Sequence, residues 1–117
     1  AGSSEIQALS PVALPSAGDR ASYYKVAWRY NATQCGTWPR AQFVAAMQAE
    51  GVAVDVGFRG FLQRSRRRCR QVGSLEAARN AVDQTVLLHH PVLLEDEQTI
   101  RRVVHAFCKV ADHAQAT

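Results

Sequence analysis

The apolar residues of this chain change period repeatedly along its length, from two to about 3.6 and back. Tyr24, Val26, Trp28 and Tyr30 alternate with Lys25, Ala27 and Arg29, which predicts a strand with one face of large side chains. Pro39 suits the first turn of a helix, where its missing N–H costs nothing. Phe43, Val44 and Met47 give that helix one stripe, and Gly51 stands where a C-terminal cap belongs. Val52, Val54 and Val56 alternate with Ala53 and Asp55 as a second, half-buried strand. Ser74 then fits the cap of a short helix whose inner face is Leu75, Ala78 and Val82. Thr85 to His89 is a third strand, and the His90-Pro91 step must leave the sheet or lie at its edge. Glu95, Asp96 and Glu97 place negative charge at the start of a last helix, which favours its dipole. Ile100, Val103, Val104, Phe107 and Val110 form its stripe, with Arg102, His105, Lys109 and Asp112 opposite.

The order is β-α-β-α-β-α, which predicts an α+β domain: a small sheet of about three strands covered by helices. Residues 22–113 carry this pattern. Residues 1–21, with Gly2, Gly18, Pro11, Pro15 and four serines, have neither period and read as an extended linker or arm. Residues 114–117 read as a tail. A length of 117 residues suits one domain, large enough for a core without staples.

No apolar run approaches the roughly 20 residues of a membrane span, and the N-terminus lacks the marks of a signal peptide. A cytoplasmic chain is the expectation. Cys35, Cys69 and Cys108 are odd in number and widely spaced, so they suggest reduced thiols rather than a disulfide framework or a CxxC site. There is no phosphate-binding glycine loop, no GxSxG and no HExxH. His89 and His90 are neighbours on a strand and point to opposite faces, with no third ligand at metal spacing. Their uses are structural or, alternatively, contact with a substrate. Arg59, between Gly57 and Gly60 at a strand end, is placed to meet a carboxylate or phosphate, or is an ordinary surface arginine. The net charge of +4 concentrates in Arg64, Arg66, Arg67, Arg68 and Arg70. These five form a solvated cluster, a site for a phosphorylated small molecule or acidic partner surface, or a nucleic-acid contact. Nucleic acid is disfavoured because no interleaved aromatic residues offer a stacking platform. Tyr24, Trp28 and Tyr30 suit core packing better than ligand stacking.

Four segments in order resemble the C-terminal region of the DegT/DnrJ/EryC1/StrS aminotransferases. They are the aromatic strand Ser22-Tyr23-Tyr24-Lys25-Val26-Ala27-Trp28-Arg29-Tyr30 and the helix and turn from Arg40 through Phe43, Met47 and Glu50 to Gly51-Val52. The strand Val54 to Phe58 follows, and last comes Val86-Leu87-Leu88-His89-His90-Pro91 through Val110. The resemblance spans about Ala21 to Ala111. It implies the small domain of a fold-type I enzyme. An N-terminal large domain then binds pyridoxal phosphate and supplies the Schiff-base lysine. The full-length protein is expected to be a homodimer that transfers an amino group from an amino acid to a nucleotide-linked keto sugar or a cyclitol, with the small domain helping to close over the substrate.

This chain starts after that large domain should have ended, so no cofactor is expected on it alone. Its lysines, Lys25 on a predicted strand and Lys109 on the solvent face of the last helix, have no setting that presents an amine to a cofactor carbonyl. Many members of that family carry a substrate-contacting histidine just before the aromatic residue matching Phe58, or a few residues after it; here those places hold Gly57 and about Leu62. Arg59, His89 and His90 are therefore the candidate substrate contacts, with no catalytic or metal-binding residue. The alternatives are a stand-alone ligand-binding or protein-interaction module and, behind it, a basic nucleic-acid adaptor.

Overall fold

The computed structural model describes residues 6–12 and 15–117, so residues 1–5 and 13–14 of the expected linker lie outside the described residues. The described residues form a small four-stranded sheet with three α-helices, an α+β domain. Its strands are β1 (Leu9–Pro11), β2 (Lys25–Tyr30), β3 (Val54–Asp55) and β4 (Thr85–His89). They lie in the order β1-β2-β4-β3, each antiparallel to its neighbour. The helices are α1 (Arg40–Ala49), α2 (Glu76–Gln84) and α3 (Glu97–Gln115).

The fourth strand, β1, comes from the segment expected to be a linker or arm. Leu9 pairs with Tyr30 and Pro11 with Trp28, while Ala8 is fully buried. Pro11 masked this strand in the sequence; it is tolerated because β1 is an edge, where a missing N–H need not break a ladder. The chain's last residues also differ from the expected tail, since α3 runs through Gln115 and Ala114 is buried.

Register assigns the two faces of the sheet. Trp28 lies opposite Val86, Val26 opposite Leu88 and Leu88 opposite Val54. That face receives α1 and α3 and holds the core. Tilted rings pack through its centre: Trp28 against Phe107 at 5.4 Å, Phe107 against Phe43 at 6.3 Å and Phe43 against Tyr30 at 5.0 Å. The Tyr30 hydroxyl donates to the Trp38 carbonyl at 2.9 Å. Burial pushes that hydroxyl's pKa well above its ordinary value, with the neighbouring Cys35 thiol adding to the rise. Gln48 Nε2 donates to the Val54 carbonyl at 3.0 Å and ties α1 to β3.

Two expected details change. Val104, assigned to the inner stripe of α3, is 54% exposed. It stands about 100° around the helix from Val103, and the buried arc leans instead toward Ala106, Ala111 and Ala114, whose small side chains allow close approach. The loop before α1 reaches that close: a Cβ on Gly36, whose φ is +58°, would run into the backbone carbonyl of Ala114. At the other end of α3, Asp96 is the N-cap and accepts from the Thr99 N–H at 2.8 Å, which lowers its carboxyl pKa. The second change concerns α2. Ser74 does not cap it; the chain enters through left-handed Gly73 and Leu75, and the Ser74 carbonyl instead accepts from Arg79 Nε at 3.4 Å.

Candidate functional site

The sheet's second face, which carries Ala27, Thr85 and Leu87, receives less cover. After β3 the chain turns at Gly57 (φ +78°) and runs across Thr85 and Leu87; a Cβ on Gly57 would press on the Leu87 side chain. A Cβ on Gly60 (φ +65°) would lie 3.3 Å from the Val82 side chain of α2, a tight but less severe contact. Arg40 fastens α2 to the sheet, its guanidinium donating to the carbonyls of Val82 and Thr85. Between the crossing segment and α2 lies an apolar groove of about 590 Å³. Phe58, Phe61 and Leu62 form one wall, Leu75, Ala78 and Val82 the other, with Leu87 contributing from the sheet. The Leu75, Ala78 and Val82 face expected from the sequence is therefore present, but it lines a groove open to solvent. No residue of α2 is buried, and Phe58 and Phe61 are 76% and 64% exposed.

The arginine-rich segment begins at this groove. Arg64 lies over the Phe61 ring, 4.7 Å from its centroid, a cation–π contact on the groove wall. Two turns follow, in which the Arg64 N–H donates to the Phe61 carbonyl and the Arg68 N–H to the Ser65 carbonyl, both at 3.1 Å. The guanidinium-bearing residues 64–70 surround shallow hollows and are all exposed. Among the described residues the ion pairs are Arg101–Glu97 and Lys109–Glu50, so none of these five arginines has an acidic partner there.

The three residues expected to contact substrate do not converge. Arg59 is exposed on the crossing segment, at the Thr85 end of β4. His89 pairs with Lys25 at the far end of the same strand, about 13 Å away at the usual rise per residue. His90 follows in a 3₁₀ turn and stacks on Tyr24 at 4.9 Å. Of the aromatic face, Trp28 and Tyr30 pack toward the core, whereas Tyr24 precedes the strand and is 71% exposed.

The lysines do not fit Schiff-base chemistry. Lys25 Nζ rests 5.6 Å from the Tyr24 ring centroid in an exposed position, and Lys109 Nζ is held 2.8 Å from Glu50. Neither lines the apolar groove. Among the described residues no group of three or more His, Cys, Asp or Glu could hold a metal ion. All three cysteines are free, with Cys35 buried and Cys69 exposed in the arginine segment. No helix of the described residues is long and apolar enough to cross a membrane.

Sequence reasoning missed the groove because its wall residues belong to different elements. Phe58 and Phe61 fall in an irregular stretch without a period, so the signal available was two rings in a glycine-bounded turn facing a short helix with a narrow apolar side. No protein-family model, curated protein or solved structure matches the chain.

Proposed function

We propose that this chain serves as the small domain of a cytoplasmic, pyridoxal-phosphate-dependent aminotransferase of the sugar or cyclitol type. In that role it packs against a large domain that carries the cofactor lysine, and it helps close the active site of a homodimer. One observation supports the proposal above others. The segments that resemble the family's C-terminal region fold together: the aromatic strand pairs with Thr85–His89, that strand pairs with Val54–Asp55, and the first and last helices cover one face. The cofactor site is placed on the large domain in this reading, and the contribution of these residues is positioning and closure. Arg59, on a turn between two glycines, is the candidate contact for an anionic substrate group. His89 and His90 are candidates at the other end of β4.

A stand-alone interaction module is the second reading, and the open groove with its arginines favours it. The two are separated by immunopurifying the native protein, reducing it with borohydride and mapping pyridoxyl-lysine. The expected result is one modified lysine, outside these 117 residues but on the same polypeptide. A native polypeptide without pyridoxyl-lysine, or one modified at Lys25 or Lys109, would contradict the proposal.

A further inference from the structure

Every residue from Gln63 to Ala81 is exposed, although the stretch includes Val72, Leu75, Ala77, Ala78 and Ala81. An amphipathic helix is stabilised mostly by burying its apolar side, and α2 buries none of its residues fully. Its apolar side instead faces Phe58, Phe61 and Leu87 across the groove. A contiguous apolar surface of this kind, unlike singly scattered exposed apolar side chains, marks a place where something binds.

The chemistry of the lining indicates what binds. Small-molecule sites combine apolar walls with a few convergent polar groups that fix orientation. Here the one lining hydroxyl, that of Thr85, already donates to the Ala81 carbonyl. The groove thus offers anchor pockets without orienting groups, which suits the side chains of a peptide segment. Charge narrows the partner further. Arg64 caps the Phe61 ring, and Arg66, Arg67, Arg68 and Arg70 continue from that edge without acidic partners among the described residues. A second copy of this chain, with net charge +4 and the same arginines, would meet like charge with like.

We propose that the groove between Phe58–Leu62 and α2 docks an acidic amphipathic segment of another protein. Its apolar side chains enter between Phe61 and Val82, and its carboxylates meet Arg64 to Arg70. The inference uses only the groove and its charge, and it stands whether or not the chain belongs to an aminotransferase.

A displayed library of random short peptides, panned against the chain at moderate salt, is the first test. Enrichment of sequences pairing spaced Leu, Ile, Phe or Trp with Asp and Glu is expected. A synthetic peptide of the enriched sequence is then measured by fluorescence anisotropy. Phe58→Ala with Phe61→Ala should weaken it by at least about tenfold, as loss of central anchors does. Both rings are largely exposed, so the fold should survive, and an unchanged thermal melt checks this. Replacing Arg66, Arg67 and Arg68 with Ala should weaken binding by about tenfold at low salt and flatten its salt dependence. No enrichment, a basic or neutral consensus, or affinity unmoved by the groove variant overturns the proposal. So does concentration-dependent self-association that buries the groove. Tight, salt-sensitive binding of a random DNA duplex that ignores Phe58 and Phe61 would assign the arginines to nucleic acid instead.

Discussion

Tyr30 ties three separate parts of the core together. Its ring packs on Phe43, its hydroxyl donates to the Trp38 carbonyl, and its backbone pairs with Leu9 of the edge strand. Because burial raises its pKa, the folded chain keeps the phenol proton at pH values where an unfolded tyrosine has lost it. The folded state then binds more protons than the unfolded one, so stability falls as pH rises above the ordinary value of 10.0. Tyr30→Phe should cost about 1 kcal/mol at neutral pH through the lost hydrogen bond. It should also remove this residue's share of the alkaline loss. Urea melts of both proteins at neutral pH and above pH 10 measure it, and parallel pH profiles would show that Tyr30 is not the group responsible.

At the scale of elements, α3 is the main packing helix, and its faces differ sharply. Phe107 is buried between Trp28 and Phe43, so Phe107→Ala should cost about 3–5 kcal/mol. Val104→Ala and Arg102→Ala, both at exposed positions, should each stay within about 0.5 kcal/mol. Denaturant midpoints rank the three, and a Val104 cost approaching that of Phe107 would mean that the exposed side of α3 is covered in solution. The long apolar stripe of α3 was legible in the sequence because 3.6-residue periodicity over nineteen residues has few competing explanations. So was the pairing face of Trp28 and Tyr30. The edge strand Leu9–Pro11 was not, because three residues containing a proline carry too little alternation to outweigh a linker-like composition. The capping of α2 was also missed. A left-handed Leu75 is unusual for a branched side chain, and no local pattern announces it.

As a whole molecule, the chain is less compact than its length suggests. Its radius of gyration is 16.0 Å, against about 13 Å for a compact domain of this size. One face of the sheet holds a closed core; the other holds an apolar groove and an arginine segment without acidic partners among the described residues. This asymmetry belongs to tertiary arrangement, which residue order does not show; nor does residue order show that Arg59 and the pair His89-His90 lie toward opposite ends of β4. It also fits a domain that works against another body. The most direct measurement is amino transfer from an amino acid to a nucleoside-diphosphate keto sugar, or to a keto cyclitol, by the immunopurified native polypeptide that contains these residues, with the isolated chain assayed alongside. Amino-sugar or aminocyclitol formation by the native polypeptide and none by the isolated chain is the predicted result. Transfer by the isolated chain, or no transfer by the native polypeptide across a panel of both acceptor classes, would contradict the account.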